Sequence, residues 1–368
     1  MLDSRRIDRF LFAEYETAPS SLALYRILYA ACILAVYLPR HLWIQSFPGS
    51  FFNPPIGFTM FFSDFPPQGF FIALNCCSII AAVCLLVGFR TRLVSVVLGV
   101  SLLAGNAWSY SFGKIDHDIL IVVLPLLLQF SGWGDRYSVD VPRTPATDPS
   151  ARAWPLALLA LLIGCAMMTA AYAKATTGWL DLRTHAVLGH LAHNVFVTGR
   201  LTWLTGPFLR LRSEAFWELQ DWATILLEAS FVVAVVNRHA FRIVCALACF
   251  FHLGIALTMG IPFWTNVLAY GAFCDWSALE SRGAVATGLG AWSSIVSRLS
   301  GTRVLLLGAG ISALYLTVGN PVHAIAQHVG PEPEAAVGYP VIGIAAVVAG
   351  FYLLAEIRAL ITHRPAAS

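Results

Sequence analysis

Ten stretches of this chain are so apolar and so poor in charge that water cannot be their solvent. They cover residues 21–38, 69–88, 93–112, 117–131, 154–173, 221–236, 240–260, 262–276, 303–320 and 337–356. A helix needs about 20 mostly apolar residues to cross a bilayer. Most of the ten meet that length, while 117–131 and 262–276 fall short, so eight to ten spans are expected. Backbone amides in lipid must bond within their own segment, which makes these spans helices. The expected fold class is therefore all-α, a polytopic membrane helical bundle. Composition agrees, with 58% of residues hydrophobic and 12% charged, where soluble domains carry about 25% charged residues. The partner this implies is the lipid bilayer. A net charge of +3 spread over loops argues against nucleic acid.

Charge between the runs orients them. With the N-terminus inside, 15 basic residues fall on the inner side and seven on the outer, with Arg26 inside the first run. The positive-inside bias thus predicts that both termini are inside, as in a bacterial-type cytoplasmic membrane. Three parts follow: an inner N-terminal segment at 1–20, one membrane domain at 21–360, and an inner tail at 361–368. The start mixes acids with arginines and does not read as a cleaved signal peptide, so the first helix reads as a retained anchor. Four of the seven outer charges lie within 178–215, a stretch of aromatics, histidines and arginines. It is too polar to span and reads as an amphipathic helical excursion along the outer interface. Inner loops at 140–152 and about 277–302 read as flexible, as does the tail. The eight cysteines lie in or beside apolar runs without zinc-ligand spacing, and read as small buried hydrophobes. His185, His190 and His193 are spaced five then three apart, which is a poor metal face, so no metal site is expected.

Ionisable side chains inside spans are costly and mark function by default. They are Arg26, His117, Lys174, Glu228 and His252. Arg26 either snorkels to the inner headgroups or pairs with Glu228. His117 stands between Asp116 and Asp118 at the start of an apolar run. Either the acids cap that helix and the histidine is a bystander, or the histidine faces a cavity as a hydrogen-bonding or proton-transfer group. His252 lies mid-helix, where a buried histidine bonded to another helix is as plausible as catalysis. Lys174 ends a long apolar run. Of 23 basic residues only it and Lys114 are lysine. A lysine there either snorkels to the headgroups or is desolvated, and a desolvated amine is a usable base near neutral pH, which arginine is not.

Four segments, taken in order, resemble a known family. They are "SLALYRILYAACIL", "HDILIVVLPLLLQFSGWGDRYSVD", "YAKATTGWL" with Lys174 five residues before Trp179, and "LLEASFVVAVVNRHAFRIVCALACFFHLGIALTMGIPFW". They resemble the HTTM (horizontally transferred transmembrane) superfamily, and within it the membrane domain of vitamin K-dependent gamma-glutamyl carboxylase. The resemblance implies that Lys174 deprotonates a reduced quinone such as vitamin K hydroquinone. Oxygen then turns the quinol into a strong base that abstracts a glutamate γ-proton from a peptide, and the carbanion takes carbon dioxide. It also implies that His117 steadies the developing anion and that His252, Trp179 and Tyr172 line the substrate site, with Arg26 and Glu228 as structural polar groups. There are departures. The first of the family's two adjacent lysines is Ala173 here, Gly254 and Ile255 stand where an asparagine is expected after His252, and the chain is too short for the carboxylase's large lumenal domain. The alternative expectation is a non-catalytic accessory protein of the same superfamily, for example in peptide maturation or export. A transporter would show paired repeats and broken helices, which the sequence lacks.

Overall fold

The structure is a computed structural model that describes residues 4–113, 115, 118–140, 152–326 and 333–362. In chain order the helices are α1 (Ser4–Arg9), α2 (Pro19–Cys32), α3 (Gln68–Val87), α4 (Thr91–Tyr110), α5 (Ile119–Leu128), α6 (Trp154–Thr176), α7 (Ala186–Phe196), α8 (Thr205–Leu209), α9 (Glu214–Ala234), α10 (Arg238–Met259), α11 (Trp264–Tyr270), α12 (Gly283–Val296), α13 (Gly301–Thr317), α14 (Pro321–Ala326) and α15 (Pro333–Thr362). Among the described residues there is no strand, only a single bridge between Asn53 and Phe112. Among the described residues, seven helical segments are long and apolar enough to cross a bilayer: Pro19–Ser46, Gln68–Val87, Thr91–Tyr110, Trp154–Thr176, Arg238–Met259, Gly301–Ile325 and Val337–Arg358. The chain is thus a polytopic α-helical membrane protein.

The other three apolar stretches behave differently. Residues 221–236 belong to α9, an eighth long helix of 21 residues whose four acids set it apart from a plain apolar span. The two short runs stay short. Residues 117–131 contribute the ten-residue α5 with Pro125 inside it, and 262–276 contribute the seven-residue α11 followed by a 3-10 turn. One expectation is corrected. Residues 277–302 are not a flexible loop, because 283–296 form α12. Its Trp292 indole donates to the Tyr137 carbonyl, a tertiary bond that residue composition does not reveal. The cysteine expectation is corrected in part. All eight are free, but only Cys84, Cys245 and Cys249 are fully buried and Cys165 is exposed, as lipid-facing helix positions are. The 140–152 loop, apart from its end residues, and the tail beyond 362 lie outside the described residues.

The chain divides into two compact units, 1–159 with 271–334, and 160–270 with 335–368. In the first, α3 packs against α2, α4 and α13, and α5 against α4. Ser78 Oγ meets Ser101 Oγ at 3.0 Å between α3 and α4, the kind of small polar contact that holds helices together in lipid. A π-helical turn at Ile33–Tyr37 widens the end of α2, and a widened turn leaves carbonyls without helical donors. Neighbouring side chains supply the donors: Tyr315 Oη to the Leu34 carbonyl, Asn320 Nδ2 to Ala35 and Leu38, and His323 to Val36.

The turn after α5 is built around Arg26. Its guanidinium is fully buried and donates to the Trp133 carbonyl at 3.2 Å, to the Tyr137 carbonyl at 2.7 Å and to Ser138 Oγ. Arg26 therefore neither snorkels nor pairs with Glu228. Tyr137 sits at φ 54°, a left-handed conformation that is costly for a tyrosine, and the Arg26 bond to its carbonyl helps hold it. The turn ends with Asp140 Oδ2 accepting from Arg90 N at 2.6 Å, which ties it to the start of α4.

In the second unit, α9 packs on α10, and α7 lies against both. Gly164 of α6 comes close to the α9 backbone at Val232, so that even a methyl group there would be in van der Waals contact with that helix. The 178–215 excursion is helical as expected, carrying α7 and α8. Thr202 and Thr205 fasten it to the C-terminal end of α10, with Thr205 Oγ1 donating to the Thr258 carbonyl at 2.8 Å.

Candidate functional site

α9 presents one buried face. Trp217, Asp221, Thr224, Ile225, Glu228 and Phe231 recur at helical spacing along it. Two carboxylates, seven residues apart, therefore point the same way, and each is answered by a different element of the second unit.

Lys174 lies in the last turn of α6, and its Nζ donates to both carboxylate oxygens of Glu228 at 2.7 Å each. The side chains are 24% and 11% exposed, so this ion pair is largely withdrawn from solvent. Two short bonds from one ammonium to one carboxylate are charge-assisted and stronger than neutral ones. α6 then ends, and the chain turns at Gly178, whose φ of +91° suits glycine. The turn brings the Trp179 ring back over Lys174, with Nζ 5.5 Å from its centre, within cation–π range. The Trp179 ring also meets the His190 imidazole of α7 at 5.4 Å.

α7 is held where His190 can do this. Asp221 is fully buried, and its two oxygens accept the Ala186 and Val187 backbone N–H groups at 2.8 Å each. A carboxylate on the open N–H groups of a first turn also meets the positive end of the helix dipole. His185, just before α7, pairs with Glu218 of α9 at 3.0 Å. His190 is pushed below its ordinary pKa by partial desolvation, then by the Lys174 and His193 charges, against a pull upward from Asp221.

α10 and α11 carry a second buried pair of this unit. His252, on α10, meets Tyr270 Oη of α11 through Nε2 at 3.2 Å, and the two rings stack at 20°. The Glu228 charge acts on the Tyr270 hydroxyl.

A profile of the HTTM domain matches residues 15–277. The chain belongs to the HTTM family. No curated protein and no solved structure matches it.

The HTTM match contains every residue singled out from the sequence. The structure brings together Lys174, Trp179 and Glu228, and pairs His252 separately with Tyr270 in the same unit. Tyr172 shares the end of α6 and is 66% exposed. His117 and Asp116 lie outside the described residues. Their neighbour Asp118 occupies the N-cap position of α5 without capping it. It accepts instead from Arg40 at 2.8 Å, a tertiary ion pair in place of the expected cap. Among the described residues no group of three His, Cys, Asp or Glu is placed to hold a metal. Sequence reasoning missed Asp221, His190 and Tyr270 as members of this site. The one available signal was the seven-residue spacing of Asp221 and Glu228 on a helix.

Proposed function

We propose that this HTTM protein is a membrane enzyme whose working end is the α6–α9 pair, with Lys174 as the base toward the hydroxyl of a lipid-soluble quinol. The observation that carries this reading is the placement of the Lys174 amine. It is drawn inward onto Glu228, under Trp179, where a headgroup anchor would extend outward. An amine held in a mostly desolvated, aromatic-covered position is the type of group that takes a phenolic proton. The further steps are proposed on the family pattern: oxygen and carbon dioxide as co-substrates, a peptide glutamate as acceptor, and His117 steadying the quinol anion. Trp179 covers the reacting end, and the exposed Tyr172 and the buried His252 are the further residues assigned to substrate binding on the family pattern. We further place both termini on the cytoplasmic side and this site on the outer side, from the distribution of arginines.

A second reading draws on the same contact. Two bonds of 2.7 Å also make Lys174–Glu228 a clasp between α6 and α9, as a non-catalytic accessory protein would use it. Purified protein in nanodiscs, given 2-methyl-1,4-naphthohydroquinone and oxygen, separates the two. A base role requires that Lys174→Ala and Lys174→Arg both abolish quinol oxidation while the protein stays folded. Equal turnover in wild type and both variants refutes it and leaves the clasp.

A further inference from the structure

The Lys174 contact poses a difficulty that the proposed function leaves open. A carboxylate beside an amine favours its ammonium form, and an ammonium cannot accept a proton. We propose that Glu228 is the proton acceptor that frees Lys174 to act, so that the two work as one proton-transferring pair; this rests on the reading of Lys174 as a base.

One N–H proton of Lys174 moves along its 2.7 Å bond to a Glu228 oxygen, which leaves a neutral amine and a neutral carboxylic acid. No charge then remains on either group, which offsets the loss of the ion pair in a site shielded from water. The quinol hydroxyl gives its proton to the free amine and becomes the quinolate. The end state is a lysine ammonium, a protonated Glu228 and an anionic substrate. Net transfer is one proton from the quinol to Glu228, with no change of oxidation state. The new ammonium stands beside the quinolate it has just made and stabilises it.

The surroundings of the pair suit this role. On α6 the carboxylate faces Lys174. From α11 the Tyr270 hydroxyl feels the Glu228 charge; that hydroxyl meets His252 of α10 at 3.2 Å and bonds with the Asn266 side chain, and Cys245 and Cys249 of α10 act on it. On α7 His190 lies near Lys174, with His193 and, from α9, Asp221 acting on it. The only cation in contact with Glu228 among its described contacts is therefore the lysine it would discharge. Glu228, Tyr270 and His252 are each no more than 8% exposed.

The test is the pH dependence of quinol oxidation by the full chain in nanodiscs, with 2-methyl-1,4-naphthohydroquinone as the probe. In the wild type the acid limb of turnover reports ionisation of the pair. In Glu228→Gln the amine must reach its neutral form without help, so the acid limb moves toward alkaline pH and activity returns as pH rises. Glu228→Asp keeps the acceptor and restores the wild-type limb at lower turnover. A merely structural Glu228 scales turnover down at every pH and leaves the limb in place. An unmoved limb in Glu228→Gln, with Lys174→Ala inactive, overturns this proposal and spares the base reading. Full activity in Lys174→Ala, or no quinol oxidation by the wild type, overturns both.

Discussion

Replacing Arg26 with lysine keeps the charge and removes the geometry. The guanidinium reaches three acceptors from two nitrogens: the carbonyls of Trp133 and Tyr137 and the hydroxyl of Ser138. A lysine ammonium is a single point at the end of a different stem, and it keeps one of these bonds at best. Each charge-assisted bond contributes about 1.5–3 kcal/mol. Two lost bonds, partly offset by local relaxation, imply destabilisation of about 2–4 kcal/mol. The rest of the turn then loosens, because the left-handed Tyr137 loses the bond to its carbonyl. For a chain of this size 1 kcal/mol corresponds to about 2 °C, so the unfolding temperature of Arg26→Lys should fall by about 4–8 °C. Three of the eight free cysteines provide the assay, since Cys84, Cys245 and Cys249 are buried and become fully reactive toward a thiol-specific dye on unfolding, above the baseline set by the accessible ones. An unfolding temperature within about 1 °C of wild type would mean that the buried guanidinium does not hold this turn, and the reasoning would fail.

Asp221→Asn leaves one oxygen where two backbone N–H groups of α7 are now bonded, and turns an amide donor toward the other. It should cost about 1–3 kcal/mol and speed hydrogen exchange over Ala186–Phe196 selectively; unchanged exchange there would contradict the cap. The lowered pKa of His190 makes a pH prediction whose sign is definite. Folded His190 releases its proton at lower pH than unfolded His190, so the unfolded chain binds more protons as pH falls through about 6.5, and stability declines below that point. His190→Gln should flatten the drop in unfolding temperature between about pH 7.5 and 5.5; a drop of the same size in the variant would refute the assignment.

What the sequence shows on its own is the solvent. Uninterrupted apolar runs leave a chain no fold but membrane helices, because neither their surface nor their backbone can be satisfied otherwise. The helical excursion at 178–215 and the cost of the Lys174 charge were legible for related reasons, since both depend on local pattern and on the price of charge in lipid. Partners were not legible. Arg26 and Glu228 both sit in apolar runs and both need a counterpart, yet nothing local says that the arginine is answered by carbonyls 107 and 111 residues away. Nor does anything local say that the glutamate is answered by a lysine 54 residues before it. Likewise α12 was mistaken for a loop, because its short run of small residues has little helical signal apart from its tertiary contacts. Periodicity and hydropathy are properties of a segment and can be summed along the chain. A hydrogen bond or ion pair depends on where two segments meet, which only packing decides. The sequence therefore marked Lys174 as an expensive charge, and the tertiary structure determined that Glu228 is the group it meets.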